Sequence, residues 1–196
     1  MMRMLYVLAV LILLASCRSN AVRLYTLSKA PPIGPSDART VQASPFVLED
    51  VRIPASIDRK ELVVRRSDSE LVLIENANWA APLRDEVAAA LVAGIHAALS
   101  NATPRDSASL TTPSAVRVDI RVWDASFRDV HLEVEWRIRQ TNSAARPPIR
   151  CAKTFVERSS GTSDVLVRAD QTLLAELAKA IASTLGATSP DLCRPQ

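Results

Sequence analysis

The side chain with the clearest chemistry in this sequence is the thiol of Cys17. It follows a short apolar run, residues 5–14, that begins just after Arg3, and the two positions before it hold small residues, Ala15 and Ser16. A basic start, an apolar middle and a small-residue cleavage region are typical of a secretory signal peptide. A cysteine at the end of that region predicts the lipobox of a bacterial lipoprotein, in which the thiol receives a diacylglycerol and cleavage before it frees an amine for a third acyl chain.

The apolar run is too short to span a membrane, because a spanning helix needs about 20 apolar residues. We therefore predict residues 1–16 as a lipoprotein signal peptide and Cys17 as the lipidated residue; the alternative is an ordinary secretory signal with an incidental cysteine. Two or more acyl chains hold a protein stably on a membrane, whereas one chain binds only marginally. Arg18 follows the cysteine. In the sorting pattern of bacterial lipoproteins Asp at that place favours inner-membrane retention, so Arg18 favours the outer membrane, facing the periplasm.

Cys151 and Cys193 are the two remaining cysteines. An extracytoplasmic compartment permits disulfides, so we predict a bond between them. Such a bond would close a loop of about 40 residues and contribute on the order of 4 kcal/mol in the chain-entropy model. The alternative, two free thiols, stays open because the sequence does not show how close the sulfurs lie.

The other reactive side chains form no catalytic or metal-binding pattern. His96 lies off the apolar stripe of a predicted helix, and His131 alternates with Glu133 and Glu135 along a predicted strand. A strand places such residues in a row, whereas a metal needs converging ligands. The four glycines are isolated, which excludes a glycine-rich phosphate loop, and no Gly-x-Ser-x-Gly elbow is present. We therefore predict no enzyme activity, no catalytic residue, no metal and no cofactor.

The charge distribution argues against nucleic-acid binding. The chain carries 24 basic and 21 acidic residues, a net charge of +3, and no basic run is longer than two residues, as at Arg65-Arg66. Nucleic-acid-binding domains carry a basic stripe or patch instead. The weakly basic balance favours a solvated surface of mixed charge; contact with anionic lipid headgroups is the alternative.

The elements that would position these residues form one domain, which we predict over residues 46–187. Residues 17–45 are predicted as an acylated tether with a short strand at 24–27 and a Pro-rich linker, and residues 188–196 as a polar tail. Further strands are predicted at 46–53, 62–66 and 71–74. Residues 76–81 would lead into a helix over 82–100, with Pro82 at its first position and Asp85 and Glu86 near its positive end.

The strongest strand signal predicts a hairpin in the second half of the domain. Apolar and charged residues alternate at Val116, Val118, Ile120 and Val122, and again at Val130, Leu132, Val134, Trp136 and Ile138. This alternation predicts an antiparallel pair with one dry face and with acids facing bases on the other. A strand over 149–156 and a second amphipathic helix over 165–185 follow. The order of strands, helix, strands and helix predicts an α+β fold: an antiparallel-rich sheet with two amphipathic helices packed on one face.

Three stretches behind the lipobox resemble one known family. They are residues 23–27 (RLYTL), 53–65 (IPASIDRKELVVR) and 78–83 (NWAAPL). They are similar to the ABC-type transport auxiliary lipoproteins, the family of paraquat-inducible protein C, which carries Tyr-Thr-Leu near the acylated Cys. That family then has a Pro, a turn with Asp-Arg, a strand ending in Arg, and a Trp before the Pro-Leu that opens the first helix. The C-terminal half matches only in its helix pattern, and Cys151 and Cys193 are not part of the family pattern.

The resemblance implies a non-catalytic accessory of a lipid transport system on the outer membrane. Its partners would be a mammalian-cell-entry-type bridging protein and the subunits of an ABC transporter or permease, and a homo-oligomeric ring would suit a tube-shaped partner. Cys17 would anchor the domain in the membrane, and the domain would dock the end of the bridge.

The partner contacts are expected at Ile57, Asp58, Arg59 and Trp79. The alternatives are a core role for Trp79 and a local salt bridge between Asp58 and Arg59. Two other functions stay open: an envelope assembly or structural lipoprotein, and a periplasmic lipid-binding carrier with a pocket between sheet and helices.

Overall fold

The structure is a computed structural model that describes residues 21–28, 46–100, 113–140, 147–185 and Cys193. Cys17, most of the predicted linker and most of the predicted tail lie outside these residues. The described part contains seven strands and two helices. In chain order they are β1 Arg23–Tyr25, β2 Phe46–Arg52, β3 Glu61–Ser67, β4 Glu70–Trp79, α1 Leu83–Ser100, β5 Ser114–Ala125, β6 Asp129–Gln140, β7 Ile149–Arg158 and α2 Ser163–Leu185.

The strands form two mixed sheets. Sheet A has the order β1-β4-β3, with β1 parallel and β3 antiparallel to β4. Sheet B has the order β2-β5-β6-β7, with β2 parallel to β5 and the other pairs antiparallel. The α+β class and the element order are confirmed, but the predicted single sheet is divided in two. Two parallel strands are connected by a long crossover and are therefore far apart in sequence. The local sequence pattern of β1 or β2 could not show which strand each would pair with.

The two helices cover one face of sheet B and run in the same direction. α1 packs on β2, and α2 packs on β6, on β7 and along α1. Glu86 near the start of α1 and Gln171 in the first half of α2 both bond to Thr26. Further along the helices, a Cβ atom at Gly94 would lie only 2.7 Å from that of Ala178. This close approach explains the glycine, because any larger side chain would push the helices apart.

The predicted β5–β6 hairpin is present, but a β-bulge in β5 interrupts the alternation of buried and exposed residues. Val116, Val118 and Ile120 are buried as predicted. The register then shifts between Ile120 and Val122, and Trp123 is buried against the helices in place of Val122. A bulge adds one residue to one strand and moves the side chains beyond it to the other face. Strict alternation therefore predicted the wrong residue at the end of β5.

Like charges face each other across β5 and β6, so the predicted pairing of acids with bases is wrong. Arg117 lies opposite Arg137, and Asp119 lies opposite Glu135. Diagonal contacts relieve the acidic pair, since Arg121 donates to Glu135 at 2.9 Å and its Nε lies 3.4 Å from Asp119. The hydrogen bond to Glu135, followed by the charge of Asp119, raises the pKa of Arg121.

β4 is longer than its apolar run predicted. The strand continues through Asn76, whose φ of 58° lies in the left-handed region that Asn adopts more readily than most residues. Beyond this irregularity, residues 77–79 pair with β1. Residues 76–79 were expected to lead into the helix. They are instead the end of β4, and residues 77–79 pair there with β1, the first strand of the described chain.

Candidate functional site

The stretch from Tyr25 to Leu27, inside the segment 17–45 predicted as an acylated tether and linker, is held by both helices. Glu86 Oε2 accepts hydrogen bonds from the hydroxyl of Thr26 at 2.6 Å and from the N–H of Leu27 at 2.8 Å. Gln171 Nε2 donates to the carbonyl of Thr26 at 2.9 Å, and Leu27 is buried. We call Thr26, Leu27, Glu86 and Gln171 the anchor clamp.

Sequence reasoning missed the part that Glu86 takes in the clamp. It was expected only as a favourable charge at the start of the helix, but its side chain is buried. A buried carboxylate is costly unless hydrogen-bond donors reach it, and Thr26 and Leu27 supply them. The available signal was its position three residues after Leu83 and next to Val87, which places an acid on the apolar stripe of α1.

Asp58 and Arg59 lie on the surface, in the turn between β2 and β3. Asp58 is 3.0 Å from the guanidinium of Arg84 in α1, and the Nε of Arg59 is 3.9 Å from Glu61. Their ionic contacts are therefore with other residues, and the local salt bridge considered for the pair is not formed. The turn presents an acid and a base side by side, each held in place by a different neighbour.

Ile57 and Trp79, the other two expected contacts, lie in the core. They are 9% and 8% exposed and line a cavity of about 20 Å³ together with Trp123 and Leu166. Trp79 therefore has the core role weighed as the alternative. A partner could touch either side chain only if the core opened, so we retain Asp58 and Arg59 as expected contacts. The cavity is far too small for the lipid pocket considered between sheet and helices.

An ionisable side chain, Asp170, lies on the buried face of α2. Trp123 Nε1 donates to it at 2.9 Å. Burial raises the pKa of Asp170 to about 7, and the hydrogen bond from Trp123 opposes this rise. In the same way Trp136 Nε1 donates to the hydroxyl of Thr184 at 3.1 Å. Two tryptophans of sheet B therefore form hydrogen bonds with side chains of α2. Sequence reasoning missed Asp170, although an acid four residues after the buried Leu166 was a signal.

A groove of about 710 Å³ lies between the β3–β4 hairpin of sheet A and the β5–β6 turn of sheet B. Arg65 and Asp124 join the two sheets in its lining, with Arg65 Nε 2.6 Å and 2.7 Å from the two carboxylate oxygens. Its apolar lining consists of Val64, Val72, Leu73, Ile74 and Phe127. The volume falls in the range typical of small-molecule sites.

Cys151 and Cys193 are joined in the structure. Their Cα atoms are 4.8 Å apart and 42 positions separate them in sequence, a Cα distance within the usual range for disulfides. Cys151 is buried on β7. The link therefore ties the chain beyond α2 to the edge strand of sheet B.

Neither a metal site nor a membrane span is present in the part of the chain that the structure describes. Among residues 21–28, 46–100, 113–140, 147–185 and Cys193, no three His, Cys, Asp or Glu side chains could together hold a metal ion. None of the helices in these ranges is long and apolar enough to cross a membrane. His131 Nε2 lies 3.6 Å from Glu133 in the row expected along β6.

Comparison with known proteins gives one family and several solved structures with a similar fold. Residues 25–182 match the family model described as ABC-type transport auxiliary lipoprotein component. The crystal structure of an uncharacterised protein is similar with a TM-score of 0.57 and 19% identity, over 70% of this chain and 88% of that chain. A protein from Xanthomonas campestris is similar with a TM-score of 0.50 and 15% identity, over 70% of this chain and 80% of that chain. At these identities the two structures show a shared fold alone, and a comparison with curated proteins gives no match.

The family match covers most of the chain, from Tyr25 at the end of β1 to Ala182 in α2. It includes all four clamp residues, the turn with Asp58 and Arg59, and both helices. The resemblance drawn from the three sequence stretches is therefore confirmed. The chain belongs to the ABC-type transport auxiliary lipoprotein components, a family of accessory lipoproteins of ABC transport systems.

Proposed function

We propose that the protein is a non-catalytic accessory of a lipid transport system of the ABC and mammalian-cell-entry type. Acylated Cys17 anchors it to the periplasmic face of the outer membrane, and the domain docks the end of a bridging protein there. The observation that carries this proposal is the anchor clamp. The family match begins at Tyr25, and the residues directly after it are bonded to both helices. A fold that secures its tether in this way suits a protein whose task is to hold a position at the membrane.

The turn with Asp58 and Arg59 is the proposed contact with the bridging protein. The side chain of Asp58 is 32% exposed and that of Arg59 is 49% exposed. Each has one ionic neighbour and remains accessible, so a partner would meet an acid and a base side by side. Charges at the rim of an interface act mainly on specificity and on the rate of association.

The double variant Asp58→Ala/Arg59→Ala is expected to capture the bridging protein about fivefold less, the loss that accompanies removal of about 1 kcal/mol of contact energy. Its free energy of unfolding should change by about 1 kcal/mol or less, because exposed ion pairs contribute little. The measurement is a pull-down from native membranes, quantified by mass spectrometry. Asp50→Ala/Arg52→Ala, which removes another exposed pair at 3.0 Å, is the matched control. Unchanged capture by the first variant would exclude this turn from the interface.

The same purification distinguishes the other two functions. Co-purified ATPase, permease and bridging subunits support the proposal, whereas barrel-assembly subunits in their place would favour an envelope assembly or structural lipoprotein. The groove of about 710 Å³ favours a periplasmic lipid-binding carrier as the second candidate. One phospholipid bound per chain in native mass spectrometry, without transporter subunits, would support the carrier.

A further inference from the structure

Within the described ranges, most of the exposed large hydrophobic residues lie in residues 22–24, close in sequence to the predicted anchor, or on β4, the strand that pairs with β1. Leu24 is 67% exposed, Val22 55%, Leu73 47% and Leu71 43%. Single exposed hydrophobic residues are ordinary on a soluble domain, and only a group of them points to a binding surface. The question is therefore whether these residues share one surface.

The strand pairing places them on one face of sheet A. Val72 pairs with the buried Val64, so both side chains face the core. Successive residues of a strand point to opposite faces. Leu71 and Leu73, on either side of Val72, therefore point away from the core. Leu24 lies opposite Asn78, whose neighbours on both sides are buried, so it also points outward. The half-buried Val63 lies opposite Leu73 on the same side. We call Leu24, Val63, Leu71 and Leu73 the outer apolar face.

The chain between Cys17 and the sheet limits what can cover this face. Arg23, the first residue of β1, follows Cys17 by six positions, and an extended chain of that length spans at most about 22 Å. An acylated Cys17 lies at the membrane surface, so β1 remains within that distance of the lipid. The anchor clamp prevents β1 from lengthening the tether by leaving the sheet. The outer apolar face therefore starts on the strand that stays nearest to the bilayer.

The charges around this face favour a neutral apolar surface as its partner. Arg65 lies opposite Leu71 on this face, but its charge is paired with Asp124 at 2.6 Å. Glu61 lies opposite Asn78, and Glu75 lies further along β4. Beside the β3–β4 turn, Arg66 pairs with Glu70 at 3.2 Å. These charges do not add up to a basic patch that would select anionic lipid, nor to an acidic patch that would select a basic protein. Contact with lipid would come from the leucines themselves, as in elements that lie in the membrane interface.

We propose that the outer apolar face of sheet A rests in the interfacial layer of the membrane that holds Cys17. The domain then lies on the bilayer instead of projecting from it on a flexible tether. This orientation also decides which sides of the domain a bridging partner can reach. The inference rests on the acyl anchor of the proposed function, but it concerns lipid contact and requires no transport partner.

The test places a tryptophan on the face and measures its contact with lipid. The acylated full-length protein is reconstituted in phosphatidylcholine vesicles with brominated acyl chains, as Leu24→Trp and as Leu73→Trp. Val156→Trp is the matched control, because Val156 is 60% exposed on β7 of sheet B. The native Trp79, Trp123 and Trp136 are buried and are common to all variants, so their emission is the shared background.

Both sheet A variants are expected to show about twofold or more stronger quenching than the control, since interfacial apolar faces enter the boundary of headgroups and acyl chains by about 5–10 Å. Adding anionic lipid should not change the result. Equal quenching in all three variants would overturn the proposal, and so would quenching that requires anionic lipid. A change in Leu24→Trp emission that follows protein concentration without vesicles would assign the face to a second copy of the chain, which also overturns it.

Mass spectrometry of the mature protein separates this inference from the proposed function. A mature chain without lipid on Cys17 would contradict the proposed anchor. An acylated chain that shows no difference in quenching would overturn only the orientation on the membrane. Leu71→Trp serves as a replacement if either sheet A variant fails to fold, because Leu71 lies on the same face.

Discussion

Two buried acids in the helices have different roles because they have different donors. Glu86 accepts two hydrogen bonds from residues 59 and 60 positions away. Asp170 accepts one from Trp123, 47 positions away. Both were visible in the sequence as acids on apolar stripes, but their donors lie on distant elements that no local pattern identifies. Cys17, Cys151 and Cys193 were easier to single out, because their chemistry depends on residue type and on the signal that precedes them.

At the residue scale, we expect the free energy of unfolding to fall as pH rises from about 4 to about 7. The unfolded chain loses the Asp170 proton near the usual aspartate pKa of about 3.9, whereas the folded protein keeps it until its pKa of about 7. The folded state binds more protons in this interval, so raising the pH favours unfolding. Asp170→Asn keeps an oxygen for Trp123 and should flatten this dependence in urea titrations across the interval. Asp68→Asn, at an exposed acid, is the control; a wild-type slope in Asp170→Asn would contradict the assignment.

At the scale of elements, hydrophobic periodicity correctly predicted the helices and strands that bury one continuous face. α1, α2 and the regular part of the β5–β6 hairpin have such a face, and the helix periodicity and strand alternation were sufficient there. The bulge after Ile120 and the left-handed Asn76 interrupt the period, so β5 and β4 were predicted less well. The division into two sheets follows from parallel pairs between distant segments, which alternation within one strand does not encode.

The link between Cys151 and Cys193 leads to a prediction at the scale of β7 and α2. Denatured protein without reductant should show no free thiol, and reduction should release two, because the thiol of Cys17 is blocked under the proposed acylation. Replacing both with Ala should lower the free energy of unfolding by about 4 kcal/mol, the value that the chain-entropy model gives for a loop of this size. Thiol titration and urea unfolding provide the measurements. Two free thiols in the unreduced protein would show that the bond does not form in the cell.

At the scale of the whole molecule, the described domain begins with a single short strand, which follows the proposed anchor in the chain. β1 has three residues, and on its own such a strand would pair weakly with β4. The anchor clamp adds bonds to α1 and α2, so the start of the domain is secured to elements that belong to its core. Family membership and the element order could be predicted from the sequence, but the attachment of the tether to both helices required the structure.

The clamp predicts how easily protease separates the domain from the membrane. Glu86→Ala leaves the buried N–H of Leu27 without its acceptor, which should lower the free energy of unfolding by about 1–3 kcal/mol. β1 should then leave the sheet more often, so chymotrypsin should cut after Tyr25 and release the domain from vesicles faster. Residues 18–22, between the cysteine and β1, offer this protease no aromatic side chain. Asp85→Ala is the matched control, because Asp85 is an exposed acid in the same turn of α1. Equal release rates for the two variants would show that the clamp does not hold the strand.

The anchor clamp also determines how the domain carries mechanical load. If Cys17 anchors the chain as proposed, the force of a partner that pulls the domain away from the bilayer enters the fold at Arg23. Three parallel residue pairs between β1 and β4 bear it together with the hydrogen bonds to Glu86 and Gln171. These bonds pass the tension from an edge strand to two helices that pack against sheet B. A pulled domain therefore yields first at β1, and the strength of the clamp sets the force that the attachment withstands.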